Sequence, residues 1–349
     1  MSKILVDFHH SSLLRSLNML FEERFGYELY RPIGMEWWTE GFWAINDQPG
    51  TAKQFLSLEQ AYVPGDGTPP LNIVAKSNEK NGEYVCLDAG AETAHRACTL
   101  DFFKRNQFDY LIASIPAHVP LFKKLIAEFQ PNAKLIIQQG NNWVEDYDGE
   151  NILASRAPTI TDNLNNVVYY HQEFDLTLFK SNKPPLEKGI FSFVNVIQNT
   201  GIGWEDYKDL KKTMPGFRFK AFGGQCPDGN MTGPRAVADA MAHADFIFHV
   251  KPGGDGFGHV IHSAYAAGRP IITRSSHYNN QLAASLLQDG TYLDIDKLGR
   301  KGVAKEIKWL YEHPEELEAM GNRARARFYD VVDYNAEAKE IWTWLQTLN

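Results

Sequence analysis

The sequence predicts an α/β fold of two doubly wound domains facing each other across a cleft. Three observations predict it. Strand-like and helix-like segments alternate through the first half of the chain, and the same style returns in the second half. Such alternation implies parallel strands covered by helices on both faces. A polar, proline-bearing stretch, Lys180–Lys188 (KSNKPPLEK), separates the halves as a linker. A chain of 349 residues is also long for one core, and about two domains is the natural expectation. The expected division is 1–180 for the first domain, 189–330 for the second, and 331–349 as a closing helix that packs back on the first.

Each element has a local reason. Lys3–Phe8 (KILVDF) is a short apolar run that reads as a buried strand. In Ser11–Phe25 the residues Leu13, Leu14, Leu17, Leu20 and Phe21 have the spacing of an amphipathic helix, with Ser11 or Ser12 as its cap and Gly26 as its stop. Tyr27–Tyr62 is irregular and aromatic, and Pro64–Pro70 (PGDGTPP) reads as a loop. Leu71–Ala75 and Tyr84–Leu87 read as strands, Thr93–Arg105 as a helix, Tyr110–Ser114 as a strand, Val119–Phe129 as a helix and Lys134–Gln138 as a strand. Beyond the linker, strands at Gly189–Val196, Phe217–Phe222, Phe246–Val250 and Pro270–Thr273 alternate with helices at Trp204–Met214, Pro234–Ala244 and Gly256–Ala267. Val303–Leu348 is helical in at least three pieces, one opening near Pro314 and the last, Ala336–Leu348, an amphipathic closing helix with Ile341, Trp342 and Leu345.

Composition excludes several classes. With 44% hydrophobic and 22% charged residues, the chain reads as an ordinary globular protein. No apolar run approaches the roughly 20 residues of a membrane span, and MSKILVDFHH turns polar too soon for a secretion signal. Cys86, Cys98 and Cys226 lack any paired spacing, so reduced thiols in a cytoplasm, a host's if the source is viral, are expected rather than disulfides or a zinc site. Residues 1–180 carry 15 Lys and Arg against 23 Asp and Glu, which accounts for the whole net charge of −8. That acidic half argues against bulk charge-driven coating of nucleic acid. A basic cluster of Lys208, Lys211, Lys212, Arg218 and Lys220 stays open as a local anion contact beside its reading as a solvated face.

The most informative stretch is Lys251–Pro270, KPGGDGFGHVIHSAYAAGRP, directly after the apolar run Phe246–Val250. A strand, a glycine-rich turn and a helix N-terminus make an anion site, because free backbone N–H groups and the helix dipole both favour phosphate. If Asp255 opens the helix, then Asp255, His259 and Ser263 fall four apart on one face, with Phe257, Val260, Ile261 and Ala264 on the core face. The competing reading makes Asp255 a plain helix cap and the histidines ordinary surface or core residues.

From Ala244-Asp245 through Thr273 the chain resembles the donor-site segment of retaining GT-B glycosyltransferases. In those enzymes an "AD" precedes an apolar strand. A Glu-Gly-Phe-Gly follows, then a second Glu eight positions after the first, then Ala-x-Gly-x-Pro. Asp255 stands here at the first Glu and Ser263 at the second. The resemblance implies a nucleotide-sugar donor, taken as a UDP-sugar, held by the second domain without an obligatory metal. It implies that Asp255 lies near the reacting sugar and that Ser263 bonds the ribose. Lys251, Gly253, Gly254, Gly256, Phe257, Gly258 and His259, with the Gly223-Gly224 turn, would line the donor site. Lys251 would neutralise the diphosphate, with Arg274 and Arg235 as weaker candidates.

The acceptor side is expected in the first domain. Ligands of open parallel sheets bind at strand exits, here His9–Ser12, Pro116–Pro120, Gln139–Asn142, Gln198–Gly203, Gly223–Cys226 and Lys251–Gly258. His9 or His10 is placed to polarise a hydroxyl, since imidazole titrates near 6.5. His118 and Asn141 sit at later exits, and Trp37 and Trp38 offer flat faces for a sugar or base. Acceptor hydroxyls of two kinds stay open: 5-hydroxymethylpyrimidine in duplex DNA, as for phage enzymes of this fold, and a glycan or small molecule. A silent sugar-nucleotide or carbohydrate-binding protein, or a nucleotide-sugar epimerase, are the alternatives.

Overall fold

A computed structural model describes residues 2–7, 10–32, 71–73, 81–88, 92–140, 147, 149–157, 166–180 and 183–348. The chain divides into two compact units. One comprises Met1–Arg156, Thr161–Phe174 and Tyr334–Asn349, the other Ala157–Ile160 and Asp175–Asp333. Among the described residues no helix is long and apolar enough to cross a membrane.

Among the described residues the first unit holds nine strands: β1 (Lys3–Val6), β2 (Glu28–Pro32), β3 (Leu71–Ile73), β4 (Glu83–Asp88), β5 (Thr93–Cys98), β6 (Tyr110–Ala113), β7 (Lys134–Gln139), β8 (Asn151–Ala154) and β9 (Val167–Tyr169). They form one sheet in the order β3-β4-β5-β2-β1-β6-β7-β8-β9. All neighbours are parallel except β3 with β4 and β4 with β5. β1 shows why the centre reads as an unbroken apolar run. Ile4 and Val6 pack on one face with Leu13, Leu17 and Phe21, and Leu5 packs on the other with Tyr30, Phe103 and Leu111. The first face is closed by α9 (Tyr334–Thr347) through Ala338, Ile341 and Leu345.

The expected helix over Thr93–Arg105 is corrected. Its first half is β5, paired antiparallel to β4 and parallel to β2, and only α2 (Leu100–Arg105) is helical. Thr99 makes the break: its Oγ1 accepts from the Phe102 amide at 3.2 Å, a side-chain cap. The cap of α1 (Ser11–Asn18, continuing as a π-helical turn over Met19–Arg24) also differs. It is His10, whose Nδ1 accepts from the Leu13 amide at 3.1 Å, not Ser11 or Ser12. α3 (Val119–Phe129) follows β6 as its spacing predicts.

Among the described residues the second unit holds a five-stranded, parallel sheet. Its strands are β10 (Gly189–Ser192), β11 (Arg218–Ala221), β12 (Phe246–Phe248), β13 (Ile271–Thr273) and β14 (Tyr292–Asp294), in the order β11-β10-β12-β13-β14. The connecting helices are α4 (Ile202–Thr213), α5 (Pro234–Ala242) and α6 (His259–Ala266), followed by α7 (Ile295–Glu312) and α8 (Pro314–Val331). Asp245 explains the "AD" element structurally. It is fully buried and accepts from the Leu186 and Gly189 amides at 2.7 and 3.0 Å and from the Tyr311 hydroxyl. It thus ties the segment entering β10 to β12 and α7. The Gly268 element is a helix stop: Arg269 N reaches Ala264 O and Gly268 N reaches Tyr265 O, with Gly268 at φ +66°. The buried Arg269 guanidinium then caps α5 through the Met241 and Ala242 carbonyls.

Candidate functional site

In the strand order of the second unit, the chain leaves β10 in one direction and β12 in the other. The crevice outside the C-terminal ends of such a pair is where open α/β sheets take ligands. Both exits are built with unusual backbone. Past β10, Val196 sits at φ +52°, a left-handed conformation that a β-branched residue avoids. It is held there because its amide donates to Gly224 O at 2.9 Å, while Asn195 Oδ1 accepts from Gly224 N at 2.9 Å. Gly223 is required beside it: a Cβ there would lie 2.6 Å from Asn195 Oδ1. The Gly223-Gly224 turn therefore locks the β10 and β11 exits together. Gly203 in α4 packs directly under the Val250 carbonyl, so the start of that helix abuts the β12 exit.

The β12 exit carries the sequence-predicted donor residues, and its local structure departs from the expected continuous helix. Lys251 to Gly258 is a folded loop, closed by Gly254 N to Lys251 O at 2.9 Å, and α6 begins only at His259. Gly258, left-handed at φ +83°, occupies the cap position, so no side chain caps the α6 amides. Gly254 sits at φ +69°, and a Cβ on it would lie 2.6 Å from His277 O. Asp255 therefore does not open the helix, and the expected line Asp255–His259–Ser263 is corrected to His259 and Ser263 alone.

Asp255 is instead the hub of the loop. Its Oδ2 lies 2.6 Å from His249 Nε2, and its Oδ1 pairs with Lys251 Nζ. Burial alone would push this carboxyl up. The charges and hydrogen bonds of His249 and Lys251 outweigh burial and hold it well below the usual carboxylate range. It is an anion at any ordinary pH. His259, half-buried in the first turn of α6, lies edge-on to Phe257 at 4.7 Å. Its imidazole is pushed down to about 4 by burial, which the Asp255 charge only partly offsets. His262 stacks on Phe257 at 4.1 Å and bonds Gly258 O at 3.0 Å, and Ser263 is buried one turn along.

Arg274, a weaker diphosphate candidate from the sequence, is engaged by carboxylates. Its guanidinium bonds the fully buried Asp206 at 2.6 and 3.0 Å and Asp296 at 2.7 Å, raising its pKa further. Lys251 is exposed and remains the cation of the loop. Among the described residues no group of three or more His, Cys, Asp or Glu side chains is gathered to hold a metal.

At the first unit's strand exits, His118 is buried, its Nδ1 3.1 Å from Asp7 Oδ2. Asp7, directly after β1, also accepts from the Ser114 and Ile115 amides at 2.7 and 2.9 Å. This is a knot between β1 and the β6 exit. His10 is half-buried with Nδ1 given to the helix cap. His9, Trp37, Trp38 and Asn141 lie outside the described residues. Two polar anchors went unread in the sequence, His249 and Asp7. Each had a signal: a polar residue interrupting or ending an otherwise apolar strand, FIFHV and KILVD.

Residues 207–343 match the family model described as glycosyl transferase-like. No curated protein matches in sequence. Several solved structures align over essentially the whole chain, among them the three that follow. Sucrose-phosphate synthase (tll1590) from Thermosynechococcus elongatus has 11% identity and a TM-score of 0.64, covering 100% of this chain and 99% of its own. Anabaena Alr3699/HepE in complex with UDP and glucose has 12% identity and a TM-score of 0.59, covering 99% and 100%. An alpha-glucosyltransferase in complex with UDP and a 13-mer DNA containing a HMU base has 10% identity and a TM-score of 0.58, covering 99% and 100%. Residues 207–343 are thus similar to a glycosyl transferase-like family, and the chain has the α/β fold of solved GT-B glycosyltransferases.

Proposed function

We propose that the protein transfers a sugar from a UDP-sugar to a hydroxyl acceptor, with the donor seated at the β12 exit of the second unit. The observation that carries this reading is Asp255, an ionised carboxylate fixed at the switch point of the sheet, one loop before the uncapped start of α6. The diphosphate binds at the α6 amides and Lys251, where the helix dipole and the ammonium oppose its charge. No metal is needed for that neutralisation. Asp255 lies against the sugar and Ser263 takes a ribose hydroxyl. The likeness of this segment to retaining enzymes supports transfer with retention at the anomeric carbon. UDP in two of the aligned structures supports the choice of nucleotide.

The acceptor is taken up by the first unit at the β1 and β6 exits, near His10 and His118, and His9 stays a candidate from its place in the sequence. Duplex DNA bearing 5-hydroxymethylpyrimidine is one arm of the test, because one aligned structure holds DNA with a HMU base. A glycan or small hydroxyl compound is the other. The experiment incubates the protein with a panel of UDP-sugars and scores UDP release and labelled transfer to hydroxymethylated DNA, plain DNA and oligosaccharides. Turnover of one donor supports the reading. Well-folded protein that binds UDP-sugar without turnover makes it a binding protein, and product isomers without transfer make it an epimerase.

A further inference from the structure

His249 is an anomaly in a strand segment that is otherwise apolar. It is 2% exposed and rigid: its amide donates to Ile272 O at 2.9 Å, and its carbonyl accepts from Thr273 Oγ1 at 2.6 Å. The ring lies beside the buried Tyr278, with centroids 6.0 Å apart. Its Nδ1 is buried without a hydrogen-bond partner among the described residues. A histidine kept for packing stability alone has no reason to strand a ring nitrogen, which costs about 1–3 kcal/mol. The only polar work of this ring is at Nε2, against Asp255 Oδ2 at 2.6 Å. An ionised carboxylate only accepts, so Nε2 carries the proton and donates.

The two partners of Asp255 differ in kind. Lys251 reaches it from an exposed, flexible side chain, while His249 reaches it from an immobile strand end. Only the second can fix where the carboxylate points, because the loop carrying Asp255 has no ladder of its own. We propose that His249 is a positioning residue for Asp255: it anchors Oδ2, so that Oδ1, now paired with Lys251, is the oxygen presented to the donor sugar. Lys251 then exchanges Oδ1 for the incoming diphosphate, and His249 keeps the carboxylate in place during that exchange. This rests on the proposed role of Asp255.

The test is steady-state kinetics of UDP-sugar turnover for His249→Asn, His249→Gln and Asp255→Asn, alone and combined. Gln carries an amide N–H to about the reach of Nε2, and Asn does not. His249→Asn is expected to lower kcat about 10–100-fold, the scale of a misplaced reacting group, with donor KM changed less than about threefold. His249→Gln should recover to within about threefold of wild type. In the Asp255→Asn background, His249→Asn should add less than about twofold, since a residue acting through another contributes nothing once that one is gone. Equal losses in His249→Asn and His249→Gln, or full additivity with Asp255→Asn, would overturn the positioning role. Should His249→Asn not fold, His249→Phe, which fills the site without a donor, carries the same expectations. If Asp255→Asn itself turns over as wild type, the fault lies in the reading of Asp255 and the positioning role falls with it.

Discussion

Gly254→Ala tests whether the donor loop is seated as described. The residue stands at φ +69°, which costs an L-residue about 1–2 kcal/mol. Its new methyl would also lie 2.6 Å from the His277 carbonyl and 2.9 Å from Gln281 Cγ. A backbone carbonyl cannot swing aside, so overpacking adds about 1–3 kcal/mol. Gly253→Ala is the control. It is also left-handed, at φ +80°, but its methyl meets nothing within 4 Å. It therefore carries the conformational cost alone. The difference between the two variants isolates the collision. At about 2–4 °C per kcal/mol, Gly254→Ala should melt about 2–12 °C below Gly253→Ala. UDP affinity by calorimetry should fall further in Gly254→Ala as well, since relief of the clash moves the loop. Equal melting temperatures and equal UDP affinity would refute the packing of this loop on His277.

Other predictions follow from the same structure. Asp245→Ala leaves the buried Gly189 amide, the Leu186 amide and the Tyr311 hydroxyl without their acceptor and should destabilise the protein by about 2–4 kcal/mol in denaturant titration, with donor KM unchanged. Arg274→Ala strips a buried carboxylate of a partner and should cost about 3 kcal/mol of stability, while the donor KM of the folded fraction stays near wild type; a selective rise in KM would restore Arg274 as a diphosphate ligand. His259 is depressed from 6.5 to about 4 in the folded protein, so the unfolded chain binds more protons between those values. Its contribution is complete above pH 6.5 and is lost as pH falls toward 4, at most about 3 kcal/mol. His259→Gln should flatten the melting temperature over that window, and an unchanged slope would contradict the burial argument. UDP-sugar turnover should persist in excess EDTA, whereas its abolition and rescue by a divalent cation would show that Lys251 and α6 are not sufficient.

The fold was legible because its signals are local. KILV, YLIA and FIFHV are short runs bounded by turn chemistry, and the alternation of elements carries the parallel sheet. The misreadings share a cause: a position decided by a tertiary partner. Thr93–Cys98 is a strand because β4 and β2 flank it, and nothing within TAHRAC announces those neighbours. Asp255 looked like a helix opener because acids often are, but a buried histidine six residues earlier and the left-handed Gly258 hold it in a loop. The pairing of Arg274 had no local signal, because its partner, Asp206, is 68 residues away in sequence. The glycine-rich turn after β12 was legible, since Gly253, Gly254 and Gly258 stand at left-handed positions that favour glycine.

The central claim is that Asp255 faces the reacting sugar of a UDP-bound donor. Its most direct measurement compares UDP-sugar turnover and UDP affinity in wild type and Asp255→Ala. The account predicts turnover in wild type and a loss of about 100-fold or more in kcat in the variant, with UDP affinity kept within a few-fold. Undiminished turnover in Asp255→Ala, or a loss confined to UDP affinity, would contradict it.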